Sequence, residues 1–354
     1  MPGILDPHPA PTLNMSASKP KVRLSVLDQS PVIAGHHARD ALAATVELAQ
    51  AADALGYTRY WCAEHHGLRG VCNPAPEVML ARLGSVTKRI RLGSGGVMLP
   101  YYSPFKVAEQ FRMLEALFPG RIDLGVGRAP GGDMRTAQAV AMGQYNRGDQ
   151  FAEQVQDLSW LFRGEVPPGH IAEGVVLQPE IDTRPELWVL GSSDYGGALA
   201  ARLGLRFAFA HFINPHVGHA VAQQYRRDFE TGYDERPYSA AAIFVICADT
   251  EAEAAELERA VDLRRLQMAY GVNAPIPSLA QAAQHELGER DRLIVERERP
   301  RTICGTPEQV AQRMLALRER FLADELVVLS VAASYAARLR TYELLAQAFD
   351  LSGD

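Results

Sequence analysis

Eight short runs rich in β-branched and aromatic residues recur along the chain, with amphipathic helical stretches between them. They lie near Val22–Asp28, Thr58–Ala63, Arg91–Leu99, Ile122–Val126, Leu187–Gly191, Leu205–Ala210, Ala242–Cys247 and Glu325–Val331. Strands that alternate with helices predict a parallel sheet covered by helices, and eight of them predict an α/β fold closed as a (β/α)8 (TIM) barrel. Two helical stripes agree with this, Val107, Phe111, Leu114 and Leu117 in one stretch and Val310, Met314, Leu317 and Phe321 in another. Their three- and four-residue spacing gives each helix one apolar face to lay on the barrel wall. The second helix has a legible start, with Thr306 as cap, Pro307 in the first turn and Gln309 completing a capping box.

Two stretches break the rhythm, near 164–185, with Pro167, Pro168 and Pro179, and near 271–300, with a charged helical tract. Both are expected as insertions at the C-terminal face of the barrel, where long connections act as covers. Residues 1–20 are rich in Pro, Ala and Ser and lack a cationic start and apolar core, so they read as a disordered lead-in to one domain spanning 21–354. A formal charge of −6, with basic residues scattered, argues against nucleic acid as a partner. No run approaches the roughly 20 apolar residues of a membrane span. The four cysteines form no CxxC pair, which fits a reducing cytoplasm.

Chemistry concentrates where apolar runs stop in glycine or polar residues: Ala63-Glu64-His65-His66, Gly93-Ser94-Gly95-Gly96, Gly125-Val126-Gly127-Arg128 and Gly191-Ser192-Ser193. In a barrel such strand ends converge on one face, where catalytic residues sit. Adjacent glycines within a strand mark the close approach of a backbone or a flat ligand. Glu64-His65-His66 reads either as a hydrogen-bonded rim or as metal ligands. Consecutive residues point in different directions and no HxH or HExxH spacing occurs, so no metal is expected. Gly125 to Gly131 begins like a dinucleotide fingerprint but has Pro130 at the sixth position, which argues against a Rossmann fold. Gly191 to Gly197 joins a strand to a helix and reads either as a tight capped turn or as a phosphate cup. Arg128 and Arg147 read either as surface ion pairs or as phosphate partners.

Taken in order, AEHH at 63–66, GSGGVMLP at 93–100, GRIDLGVGR at 120–128, GSSDYGG at 191–197 and CGTPEQV at 304–310 resemble the bacterial luciferase-like flavin monooxygenases, closest to single-subunit members similar to the luciferase alpha chain. The resemblance covers nearly all of the chain from Val22 onward. It implies a barrel that binds reduced FMN at its C-terminal mouth, with a non-prolyl cis peptide at Gly95–Gly96 against the ring and Met98 nearby. Gly127 stands where the luciferase alpha chain has a reactive cysteine, and Arg128 follows it as in the family. Ser192, Ser193, Tyr195 and Gly196 fall on the phosphate-binding turn, and Arg147 lies within a residue or two of a second phosphate contact. His65, with Glu64 beside it, matches the catalytic histidine, expected to titrate near neutrality and to move the proton of a flavin hydroperoxide.

The resemblance further implies O2 and an aldehyde or other small organic compound as substrates, a separate flavin reductase and a homodimer. Two other readings use the same barrel. One is a hydride-transferring dehydrogenase with a 5-deazaflavin, and the other is a flavin-binding protein without catalysis.

Overall fold

The computed structural model describes residues 22–143 and 147–353, so the expected lead-in over residues 1–20 lies outside the described residues. Ten strands follow in chain order: β1 Arg23–Asp28, β2 Arg59–Cys62, β3 Arg91–Ser94, β4 Val97–Met98, β5 Ile122–Gly127, β6 Glu186–Gly191, β7 Arg206–Ala210, β8 Ser239–Cys247, β9 Thr302–Gly305 and β10 Glu325–Leu329. They pair in the order β10-β1-β2-β3-β5-β6-β7-β8, and β10 returns to β8, which closes an eight-stranded barrel. Every ladder is parallel, and Val26 of β1 stands opposite both Tyr60 of β2 and Val328 of β10.

Two details depart from the sequence expectation. The run Arg91–Leu99 is not one strand: a cis peptide at Gly95–Gly96 separates β3 from β4, and β4 continues the pairing against β5. β9, unexpected from four residues behind a charged tract, pairs with the upper end of β8 through Phe244↔Thr302 to Cys247↔Gly305, while the lower end of β8 pairs with β10. One long strand thus serves two partners at different heights.

Side chains alternate across a strand, and the inward series explains the barrel interior. The lowest rung is ionic. Arg59 donates to Asp123 (2.7 Å), Glu186 (3.0 Å) and Glu325 (2.7 Å), while Arg91 and Arg206 close the ring through Asp123 and Glu186. One step higher, Trp61 and Trp188 meet edge to face at 5.0 Å, and the Trp61 indole N–H donates to Asp123 at 3.0 Å. Their neighbours at that level are small, Gly93, Gly125, Ala208 and Ala240, so two indoles fill the cross-section. Higher still come Ala63, Gly95, Gly127, Ala210 and Ala242, too small to meet across the barrel, with Leu27 and Leu190 beside the glycines.

The helices lie outside. Val107, Phe111 and Leu114 are buried against the wall as the stripe predicts, whereas Leu117, the last residue of its helix, is 57% exposed. Val310, Met314 and Phe321 are buried in the helix Pro307–Phe321, whose start forms where expected, with Gln309 Oε1 accepting from the Thr306 amide at 3.1 Å. Helices Ala38–Leu55 and Tyr335–Ala348 are tied to the barrel by Asp28, which accepts from Arg338 (2.6 Å), Thr45 (2.7 Å) and Tyr60 (2.5 Å).

The two insertions go to different faces. Residues 271–300 reach the mouth as expected: Ile276 bridges to Ile33, and the Asn273 side chain bonds Gly67 and Arg69. Residues 164–185 do not. They run from the end of helix Phe151–Arg163 to the start of β6, and Arg112 holds the carbonyls of Pro179 and Ile181. A helix-to-strand connection belongs to the N-terminal face, opposite the active mouth. The expectation of a cover over 164–185 is therefore corrected. Among the described residues no helix is long and apolar enough to cross a membrane.

Candidate active site

The small uppermost rung leaves a cavity of 640 Å³ at the C-terminal mouth. Its walls come from β1, β2, β4, β5, β6, β7 and β8 and from the Gly95–Gly96 link between β3 and β4, so stretches from most of the barrel meet in one space. Of the site residues expected from sequence, Glu64, His65, Gly95, Gly96, Met98, Gly127, Arg128, Ser192, Ser193, Tyr195 and Gly196 all line it. Arg147 opens the short turn Arg147–Gln150, of which Gly148 and Asp149 line the cavity.

The glycine wall is closely packed by its neighbours in the cavity lining. A Cβ on Gly95 would meet Leu27 Cδ1 at 2.6 Å and Trp61 Cβ at 3.0 Å, and one on Gly96 would meet Leu190 Cδ1 at 2.6 Å and the Gly125 carbonyl at 2.7 Å. The backbone therefore presents a bare, flat surface that no larger residue could form. Gly127 is the opposite case, since a Cβ there would meet nothing within 4 Å. It borders open space.

Glu64 is 2% exposed and fully engaged: Oε1 accepts from Tyr102 (2.6 Å) and lies 2.7 Å from His66 Nε2, while Oε2 accepts from the Met98 amide at 2.9 Å. Burial and the Glu64 charge push the Tyr102 hydroxyl well above its ordinary pKa, so it stays a donor. These bonds pin the end of β2 to the segment after Gly96. His66 is thereby committed, and among the described residues no group of three or more His, Cys, Asp or Glu is arranged to hold a metal ion.

His65 lines the cavity, its amide donates to the Asn73 carbonyl at 3.0 Å, and its buried Nδ1 has no protein partner. Burial, opposed in part by Glu64 and reinforced by His66, lowers its pKa from 6.5 to about 4. The expectation of a histidine titrating near neutrality is corrected: removing the charged ring from water costs more than one carboxylate, itself shared among three donors, can return. The imidazole is neutral at neutral pH.

On the far side the helix Asp194–Leu203 starts from Ser193, whose side chain does not cap it. The first amides of a helix without a capping side chain favour an anion. Arg128 stacks over the Tyr195 ring at 4.3 Å beside this turn, and Asn214 Nδ2 donates to the Ser192 carbonyl at 3.1 Å. Asn214 was not visible in the sequence, because a loop asparagine 22 residues downstream carries no signal of where it will bond. Also missed were the lining residues Leu27, Leu190, Ala208, Ala210, Phe212 and Ala242. For Ala208 and Ala210 the signal was present in the alternation Phe207-Ala208-Phe209-Ala210 of β7; the three consecutive alanines at the start of β8 do not say which of them faces inward.

This geometry agrees with the comparisons. The family described as luciferase-like monooxygenase matches residues 22–325. An N-acetyl-S-alkylcysteine monooxygenase of Bacillus subtilis is 37% identical over 331 residues, 92% of this chain and 98% of the relative. The crystal structure of apo-MsnO8 superposes with a TM-score of 0.87 at 37% identity, covering 94% of this chain and 99% of that one. The oxygenating constituent of 3,6-diketocamphane monooxygenase of Pseudomonas putida, solved with FMN, shares the fold at a TM-score of 0.65 and 18% identity, covering 92% and 97% of the two chains.

Proposed function

The chain belongs to the luciferase-like monooxygenase family, and on that premise we propose that it binds reduced FMN in the mouth cavity and, with O2, oxidises a small organic compound such as an aldehyde. Members of this family are oxidoreductases, and the named relatives are monooxygenases. The observation that carries the finer reading is the joint lining of one cavity by the bare Gly95–Gly96 wall, the uncapped helix at Ser193 and the unpartnered His65. A planar ring fits the first, a phosphate the second, and a ring heteroatom can satisfy the third.

Reduced FMN, when bound, supplies the electron pair that lets one atom of O2 enter the product while the other leaves as water. The chain supplies binding, orientation and dryness. The Arg128 guanidinium, the serine hydroxyls at 192–193 and the amides of the 193–196 turn other than that of Tyr195, which donates to Asp194 Oδ1 at 2.9 Å, would bind the phosphate, and Gly95, Gly96 and Met98 would seat the ring. His65 has the catalytic role: neutral, half-buried and with no protein partner at Nδ1, it holds a hydrogen bond to the bound reactants and can carry a proton at that atom. Glu64 is a positioning residue, because its oxygens are already bonded. The mouth segment around Ile276 helps exclude water.

The same proposal includes a separate flavin reductase, a cytoplasmic location and a homodimer. The dimer is supported by an outer groove between helices Ala38–Leu55 and Pro76–Gly84, lined by Leu42, Val46, Val78 and Met79. The test begins with anaerobic titration by reduced FMN, followed by addition of 18O2 and an aldehyde panel. Saturable FMN binding with one labelled oxygen in the product is expected. Tighter binding of a 5-deazaflavin, with no label incorporated, would replace this reading with the dehydrogenase.

A further inference from the structure

The two indoles that fill the barrel below the mouth cavity belong to a longer file of rings. Trp61 lines the cavity, and its six-membered ring lies where a Cβ on Gly95 would meet Cε3 at 3.5 Å. From there Trp61 meets Trp188 edge to face at 5.0 Å, and Trp188 meets Tyr238 in the same way at 5.6 Å. Tyr238 directly precedes β8 and so stands at the N-terminal face, where its hydroxyl donates to Glu325 Oε2 at 2.8 Å and accepts from the exposed Arg23 at 3.0 Å. Among the described residues Trp61 and Trp188 meet no other aromatic ring, and the third tryptophan, Trp160 of helix Phe151–Arg163, pairs with His170 instead. Three rings thus connect the mouth with the opposite face.

Resting on the flavin reading above, we propose that Trp61, Trp188 and Tyr238 form an electron relay that carries one-electron oxidation out of the flavin cavity to Tyr238 at the N-terminal face. Each link has its own electrostatics. Trp61 donates its indole N–H to Asp123 at 3.0 Å, and a carboxylate there favours a ring that has lost an electron. Trp188 lies under the guanidinium groups of Arg59 at 4.8 Å and Arg206 at 5.6 Å, and its buried Nε1 has no protein partner. A positive ring beside two cations, with no acceptor for its proton, is a poor resting place for the charge, so Trp188 passes it on. Tyr238 can keep it. Burial and the Glu325 charge push its hydroxyl up to about 12, so it rests protonated. On losing one electron it hands that proton along the existing bond to Glu325 Oε2 and becomes a neutral radical, indifferent to Arg206 and Arg23 beside it. The step balances: the oxidant in the cavity gains one electron, Tyr238 loses one electron and one proton, Glu325 gains the proton, and both tryptophans return to their starting state. A site that handles O2 beside a redox cofactor must suppress competing reactions, and the relay moves a stray oxidation away from His65 and Met98 to a face where reductants in solution can meet it.

The test uses the full chain loaded with oxidised FMN under blue light, because the excited flavin is a one-electron oxidant placed in the cavity. Wild type is expected to quench the fluorescence of the bound flavin. With a cobalt(III) complex present to take the electron onward from the flavin, it should also give a tyrosyl radical by electron paramagnetic resonance. Trp61→Phe should raise the bound-flavin fluorescence by about threefold or more and lose the tyrosyl signal. Trp188→Phe should keep the quenching and lose the tyrosyl signal, a split that a merely structural role would not produce. Tyr238→Phe removes one hydroxyl at the far end of the file and covers the case in which the tryptophan variants do not fold. It should keep the quenching and show short-lived tryptophan-radical absorbance in place of the tyrosyl signal. A tyrosyl signal of wild-type size in Tyr238→Phe, or in a folded Trp188→Phe, would overturn the relay. Failure of wild type to bind FMN would overturn it on other grounds, by removing the flavin reading beneath it.

Discussion

The backbone amide of Met98 donates to Glu64 Oε2 at 2.9 Å, so a carboxylate at the end of β2 holds the segment that follows the bare glycine wall. The same carboxylate takes the Tyr102 hydroxyl and His66. Glu64→Ala leaves a buried amide without a partner, at a cost of about 1–3 kcal/mol, and a half-buried hydroxyl at a lower cost. Glu64→Gln keeps one acceptor oxygen and should fall between. Denaturant unfolding is expected to rank wild type above Glu64→Gln above Glu64→Ala, with FMN affinity falling in the same order. An alanine variant as stable as wild type would show that this anchor does nothing.

The lowered pKa of His65 has a definite sign in stability. The unfolded histidine takes a proton near its ordinary 6.5 and the folded one only near 4. Between those values unfolding binds a proton, so the stabilisation present above pH 6.5 is lost as pH falls through about 4. The full window corresponds to roughly 3 kcal/mol for this one group. Urea unfolding of the flavin-free protein at pH 7 and pH 4.5 should show that loss, and His65→Asn should lose distinctly less. His211, also lowered to about 4, first by burial and then by Arg320 and His216, adds a smaller effect of the same sign because it is more exposed. An equal loss in wild type and His65→Asn would place the proton elsewhere.

The contrast between Glu64 and His65 also shows what the linear order of residues can disclose. The triplet Glu64-His65-His66 sits at a strand end, and strand ends converge in a barrel, so the location of the site was legible. The division of labour was not, because it depends on Met98 and Tyr102 arriving from the stretch after Gly96 to occupy Glu64. Arg59, Asp123, Glu186 and Glu325 were hidden for a related reason. Each looks like the polar punctuation at the start of a strand, and only closure of the sheet brings all four to one buried level. The 164–185 stretch was misplaced because length alone does not say which end of a helix a segment leaves.

That buried ionic level makes its own prediction. Burial alone would raise the Asp123 pKa, but Arg59 and Arg91 more than offset this and hold it below the ordinary range. Arg59→Met leaves carboxylates in the barrel floor without their shared cation. Breaking a buried pair on one side costs about 3–5 kcal/mol. The variant should unfold at markedly lower urea than wild type at pH 7, and lowering the pH should narrow the gap as the carboxylates take protons. A gap that stays constant with pH would contradict this account.

Asn214 reaches across from the loop after β7 to the Ser192 carbonyl at 3.1 Å, and so holds the turn ahead of helix Asp194–Leu203. If that turn takes the FMN phosphate, Asn214→Ala should weaken FMN and spare riboflavin, which lacks the phosphate. One lost hydrogen bond of about 1 kcal/mol corresponds to roughly a fivefold change. Parallel fluorescence titrations with the two flavins measure it. Equal weakening of both would mean that Asn214 supports the fold at large and has no particular tie to the phosphate turn.

Gly125 and Gly127 lie on the same face of β5, two residues apart, yet substitution should separate them completely. A Cβ on Gly125 would press into the Ser94 carbonyl oxygen and approach Leu190 Cδ1 at 3.1 Å, with the backbone on one side unable to yield. Gly127 has nothing within 4 Å in that direction and shows no positive φ, so an L side chain fits its backbone without strain. Gly125→Ala should therefore lower stability by about 1–3 kcal/mol, in the range of overpacked cores. Gly127→Ala should change it by less than about 0.5 kcal/mol. Gly127→Phe extends the comparison: the same open space that tolerates the ring in the folded protein is the cavity that a flavin would need. Its thermal unfolding should match wild type while FMN binding is lost, and a phenylalanine variant that still bound FMN as wild type does would move the cofactor away from β5.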